Sequence, residues 1–171
     1  GWHIHSLVFV ATPAPSVNLS DLKAGMVVSL NNNGQLVLGA KGHAMPLFAF
    51  QSGTEPVVDN TYDPTFSNQF WVPATPTGSV SCLVAVGAYE LASTEFDTTQ
   101  TYLPNDLLRA PNGTLTNSGV KVVSDINNSS ESPHTHATLV VGVVSRGVFT
   151  NKLGVKMLQF WPVYIPGRAS E

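Results

Sequence analysis

Met26-Val27-Val28-Ser29-Leu30-Asn31-Asn32-Asn33-Gly34-Gln35-Leu36-Val37-Leu38 places an Asn-Gly turn between two β-rich runs. Both turn residues tolerate positive φ, so this is the strongest short-range hairpin signal a sequence offers. The preceding Asp21-Leu22-Lys23-Ala24-Gly25 reads as a turn into the hairpin, and Met45 to Phe50 as a third strand broken early by Pro46. Upstream, His3 to Val10 is a strand candidate stopped by Pro13 and Pro15. Downstream, Val80 to Ala88 is a continuous apolar run, the pattern of a strand buried on both faces. Thr138 to Val144 and Val155 to Ile165 close the chain as strands. Helical periodicity is nearly absent. The expectation is one all-β domain, a compact β-barrel or β-sandwich with two long irregular loops and little helix.

Those loops lie around residues 51–79 and 89–136. The first holds Pro56, Pro64, Pro73 and Pro76 with one short strand at Gln69 to Val72. In the second, Asn105 to Leu108 reads as a single helical turn after Pro104. Long irregular segments inside a compact domain are uncommon unless they make contacts. Residues 1–12 form an N-terminal arm or edge strand, and 13–171 the β domain. No internal repeat or linker divides it.

Composition limits the function classes. The chain has 171 residues, enough for one domain with a real core. Only 11% are charged, against about 25% in ordinary soluble domains, and 14 Gly and 12 Pro supply the punctuation. So few charges protect a surface poorly against association, which implies a protein that functions assembled. A net charge of -3 excludes a broad basic footprint, hence a nucleic-acid partner. No apolar stretch is long enough to span a bilayer, so no membrane partner is expected either. Charge is unevenly spread. No Lys or Arg lies between Lys41 and Arg109, a stretch carrying Glu55, Asp59, Asp63, Glu90, Glu95, Asp97 and Asp106. From Arg109 onward, Arg109, Lys121, Arg146, Lys152, Lys156 and Arg168 face only Asp125, Glu131 and Glu171.

Catalytic chemistry is not visible. Cys82 is the single cysteine and sits in an apolar run, which makes it a buried inert thiol. No Gly-x-Ser-x-Gly elbow, phosphate-cradling loop or dinucleotide fingerprint occurs. His134-Thr135-His136 places two imidazoles on one face of an extended chain, and His3-Ile4-His5 repeats the spacing. The metal-binding barrels called cupins have such a pair followed by a carboxylate, where this chain has Leu139, Val140 and Val141. No catalytic, cofactor-binding or metal residue is therefore assigned. Two alternatives stay open. One is a carbohydrate-binding β-sandwich on a virion or cell surface, using Trp71, Tyr62 and Tyr102 as sugar platforms. The other is a metal-dependent β-barrel enzyme using His134 and His136.

The closing run, Gly154-Val155-Lys156-Met157-Leu158-Gln159-Phe160-Trp161-Pro162-Val163-Tyr164-Ile165-Pro166-Gly167, is apolar and aromatic where most domains carry a polar tail. It serves as a last core strand, as an assembly contact, or as both.

Three pieces together resemble the capsid decoration (cement) proteins of tailed bacteriophages. They are Leu22 to Leu30 followed by Asn33-Gly34-Gln35-Leu36-Val37, then Val141 to Gly147, then Leu158 to Pro166. They cover about a third of the chain. The resemblance implies a small β-rich protein without an active site or cofactor. It is made in the host cytoplasm and binds the outer capsid surface of the virion. There it clamps neighbouring subunits of its partner, the major capsid protein, often as a homotrimer. An extended N-terminal segment of such proteins often adds to a capsid sheet edge, and Trp2 to Val10 matches it by position. The contact residues implied are Trp2, Ile4, Leu7, Phe160, Trp161 and Tyr164.

Overall fold

A computed structural model describes residues 8–53, 79–84, 89–121 and 139–166. Their strands are β1 (Val8–Ala11), β2 (Val27–Leu30), β3 (Leu36–Leu38), β4 (Leu47–Ala49), β5 (Val80–Leu83), β6 (Leu91–Ser93), β7 (Asp106–Arg109), β8 (Thr116–Lys121), β9 (Val140–Thr150) and β10 (Lys156–Ile165). The one described helical element is a 3₁₀ turn at Leu19–Asp21, capped by the Asn18 side chain. The strands form two five-stranded antiparallel sheets, in the orders β1-β5-β4-β2-β3 and β6-β10-β9-β7-β8. They pack as a sandwich and do not close into a barrel.

The quoted hairpin is β2–β3, with Leu30 opposite Leu36. Its turn differs from the expected one. Gly34 alone has positive φ, at 72°, and its N–H donates to the Asn31 carbonyl. Asn31 Oδ1 accepts from the N–H groups of Asn33 and Gln35, closing a three-residue loop with a glycine bulge. The other middle Asn residues keep ordinary backbone angles.

Strand β5 is shorter than the apolar run suggested, and its burial alternates. Val80 and Cys82 are buried in a cluster with Leu22, Val28, Leu36, Leu47 and Ala49, while Leu83 turns to the other face. Alternation is what period-2 geometry imposes on any strand whose two faces meet different packing. Residues 85–88 of the run lie outside the described residues.

The stretch from 89 onward, expected to be irregular, contains β6, β7 and β8. Asn105 to Leu108 is not a helical turn. Leu103-Pro104-Asn105-Asp106 is a β-turn: the Asp106 N–H donates to the Leu103 carbonyl, and Asn105 takes φ 72°. Proline followed by a positive-φ residue marks a type II turn, so Pro104 here starts a turn instead of a helix. The next residues enter β7, between β9 and β8.

The main core lies between the sheets, joining Val27, Ala40 and Phe48 to Leu108, Val141, Val144, Leu158 and Phe160. The Phe48 and Phe160 rings meet at 5.7 Å with a tilt of 42°. Gly142 makes room for them, since a Cβ there would stand 2.8 Å from Phe160 Cδ2. The second cluster covers the far face of the first sheet, so that sheet is packed on both sides. Polar stitches join the layers. Ser93 Oγ donates to the Gly25 carbonyl at 2.8 Å, and the Tyr164 hydroxyl to the His43 carbonyl at 2.6 Å.

Candidate interaction surfaces

The aromatic end of β10 is divided between inside and outside. Leu158, Phe160 and Pro162 are buried, while Trp161 and Ile165 are exposed, Trp161 at 45%. Alternation thus sends Phe160 into the core and corrects its expected role as a contact. A ring wedged between Phe48 and Gly142 is not available to another protein. Trp161 is available. Tyr164 is half-buried, packs against the core and is tied to His43 by its hydroxyl. Pro162 has no N–H to offer a neighbouring strand. It falls beyond the β6 ladder, which ends with Leu91 opposite Phe160, so it costs no ladder bond there. Trp2, Ile4 and Leu7 lie outside the described residues. The arm's end is inside the fold: Val8–Ala11 pair with Val80–Leu83 as the edge strand of the first sheet.

A surface the sequence reading missed stands out more. The β6 ladder covers Leu158–Phe160 and the β7 ladder covers Gly142 and Val143. Past β7, Gly147–Thr150 of β9 pair only with Lys156–Gln159 of β10, and past β6 as well the hairpin runs on as a two-stranded ribbon at Phe149–Thr150 and Lys156–Met157. A bulge marks its base. Ser145 and Arg146 are looped out between the pairs Val144–Phe160 and Gly147–Gln159, with Gly147 at φ 90°. Ser145 Oγ donates to Glu90 Oε1 at 2.6 Å, and Arg146 Nε lies 3.8 Å from the same oxygen. The ribbon exposes Val148, Phe149 and Val155, and at its tip Leu153 is 87% exposed. The signal for it was present. Asn151-Lys152-Leu153-Gly154-Val155 has the spacing of Asn31 to Gln35 and the same hydrogen bonds. Asn151 Oδ1 accepts from the N–H groups of Leu153 and Val155, and Gly154 has φ 80°.

Two depressions accompany these surfaces. An apolar cleft of about 280 Å³ opens between the sheets, lined by Phe48, Phe50, Leu83, Leu91, Met157 and Phe160 among others. A more polar hollow of about 470 Å³ is lined by Phe96, Asp97, Thr98, Pro111, Asn112, Thr114 and Thr116. Hydrogen bonds from the Thr99 hydroxyl and N–H hold the Asp97 carboxyl below the usual carboxylate range.

Tyr102 is not a sugar platform. Its ring is buried edge-on to Phe96 at 5.7 Å, and its hydroxyl donates to the Asp97 carbonyl at 2.8 Å. Burial and the nearby Asp97 charge push its phenol up to about 12. Cys82 is fully buried, and desolvation pushes its thiol up to about 11. Trp71, Tyr62, the two His pairs, Asp59 and Asp63 lie outside the described residues. Among the described residues no group of three His, Cys, Asp or Glu is placed to hold a metal ion, and no helix is long and apolar enough to cross a membrane. No family model, curated protein or solved structure matches the chain.

Proposed function

We propose that this chain is a structural virion protein that binds the outer surface of a phage capsid. There it stabilises contacts between major capsid subunits and associates with copies of itself, as a homotrimer. One observation carries the proposal. A chain with only 11% charged residues keeps Val148, Phe149, Leu153, Val155, Trp161 and Ile165 exposed along one continuous hairpin. Single exposed apolar side chains are ordinary, whereas a contiguous set marks an interaction surface. The rigid sandwich beneath it suits a clamp, because its task is to hold geometry. In this proposal Trp161 and the arm residues Trp2, Ile4 and Leu7 meet the capsid, and Phe160 supports Trp161 from the core.

The test is co-sedimentation with empty shells assembled from the major capsid protein encoded in the same genome. Saturable binding at a fixed ratio to that protein, with shells that rupture at higher temperature when occupied, is the expected result. A bound clamp stabilises only the assembled state, by mass action. No binding at micromolar concentration would remove the proposal.

A further inference from the structure

We propose that the tip of the β9–β10 ribbon docks into the Asp97 hollow of a second copy of this chain. The ribbon is one half of the contact. From Val144 to Pro166 there is no acid, while Arg146, Lys152 and Lys156 lie along it. Lys152 and Leu153 stand at the tip, where the N–H groups of Asn151, Leu153, Gly154 and Val155 all bond within the turn itself. At 87% exposure, Leu153 is not seated on the described residues of its own subunit.

The hollow is the other half. Described residues 89–108 contain Glu90, Glu95, Asp97 and Asp106 and no base. Two of these acids are already engaged: Glu90 with Ser145 and Arg146, Asp106 with the Leu103 N–H and Asn117. Asp97 accepts two hydrogen bonds from Thr99 on Oδ1 and lines an open hollow with Phe96 and Pro111, a floor of mixed polarity suited to an aliphatic side chain beside a cation.

Charge selects the arrangement. Two ribbons packed face to face would bring together surfaces that carry Arg146, Lys152 and Lys156 and no acid, and like charges suppress such a pairing. A head-to-tail contact pairs unlike charges, and repeated around an axis it closes a ring. This inference rests on the self-association included in the proposed function, and it names the two surfaces involved.

Sedimentation velocity and light scattering on the purified chain test it. Wild type is expected to associate, more weakly as salt rises from 50 to 500 mM, chosen as about 14 Å and 4 Å of screening length. K152D, L153S and D97K should each raise the apparent dissociation constant at least about tenfold, and K152D/D97K in one chain should recover association. K152D and L153S change exposed turn residues, so they report on docking even if D97K perturbs the Thr99 turn. A monomeric wild type, association indifferent to the ribbon variants, or a swap that fails to recover would each overturn the inference. So would a monomer that binds phosphatidylserine vesicles through Leu153, since the tip would then face lipid. Shell binding, measured separately for wild type, tells failure of this contact from failure of the capsid proposal.

Discussion

Cys82, Tyr102, Phe160 and Gly39 show how much of the molecule is set by what single side chains are allowed to do. Phe160 fills the space that Gly142 leaves open, so Phe160→Ala should cost about 3–5 kcal/mol through lost burial and the cavity left behind. Gly142→Ala should cost about 1–3 kcal/mol by overpacking the same place from the other side. Urea unfolding of both variants checks the pair. Gly39 has φ 78°, and a Cβ there would run into the Pro111 carbonyl oxygen, where backbone cannot move aside cheaply. Gly39→Ala should therefore be more damaging than Gly34→Ala, whose turn is open on all sides. The titrating groups give a pH dependence with a definite sign. The Cys82 thiol is raised from 9.0 to about 11 and the Tyr102 phenol from 10.0 to about 12. Both are neutral in either state below about pH 8, so they leave stability unchanged there. As pH rises through 9 to 12 the unfolded chain releases their protons first, and stability falls. Melting temperature against pH should decline from about pH 9, more gently in Cys82→Ser. Iodoacetamide at pH 8 should leave native Cys82 unmodified and label it fully in urea.

At the scale of elements, legibility followed the range of the interactions. The β2–β3 hairpin was legible because its turn is written locally, in Asn31 and Gly34. The matching turn at Asn151 to Val155 was equally local, yet the strand before it was expected to end at Val144. Six further residues of β9, Ser145 to Thr150, include a bulge and a glycine at positive φ, which break the alternation a strand is recognised by. β7 failed for another reason. Four residues, three of them buried, carry too little pattern to separate a strand from one turn of helix, and Pro104 suits both. The two Asn turns predict a contrast. Asn31→Ala should destabilise by about 1 kcal/mol, because each lost side-chain acceptor frees two N–H groups near the packed β3 edge. Asn151→Ala removes the same two bonds from a ribbon tip whose Leu153 is 87% exposed. It should barely change global unfolding, while amide exchange of Leu153 and Val155 accelerates.

For the whole molecule, the sandwich positions its edges as carefully as its core. The first sheet is packed on both faces, and β1 is one of its two edge strands. That placement divides the N-terminal segment in two. Val8–Ala11 are ladder partners of Val80–Leu83, and Leu36 donates its N–H to the Thr12 carbonyl just beyond. Residues 1–7 precede the ladder, and in the capsid proposal they supply Trp2, Ile4 and Leu7 to a foreign sheet edge, a mode that gains main-chain hydrogen bonds and pockets for alternate side chains. Composition could suggest such an arm but not where it stops, because apolar residues run unbroken from Leu7 through Ala11 and the boundary is set by what β5 offers as a partner. Two truncations separate the roles. Deleting 1–7 should leave the thermal unfolding midpoint within about 2 °C of wild type, since no described ladder bond is lost, and should lower occupancy on shells. Deleting 1–11 strips β1 from β5, exposes a new edge and the second core cluster, and should lower the midpoint by at least about 5 °C with a tendency to aggregate. Full shell occupancy by the shorter truncation would assign capsid binding to the β9–β10 hairpin alone. A large drop in its midpoint would instead place residues 1–7 among those that hold the sandwich together.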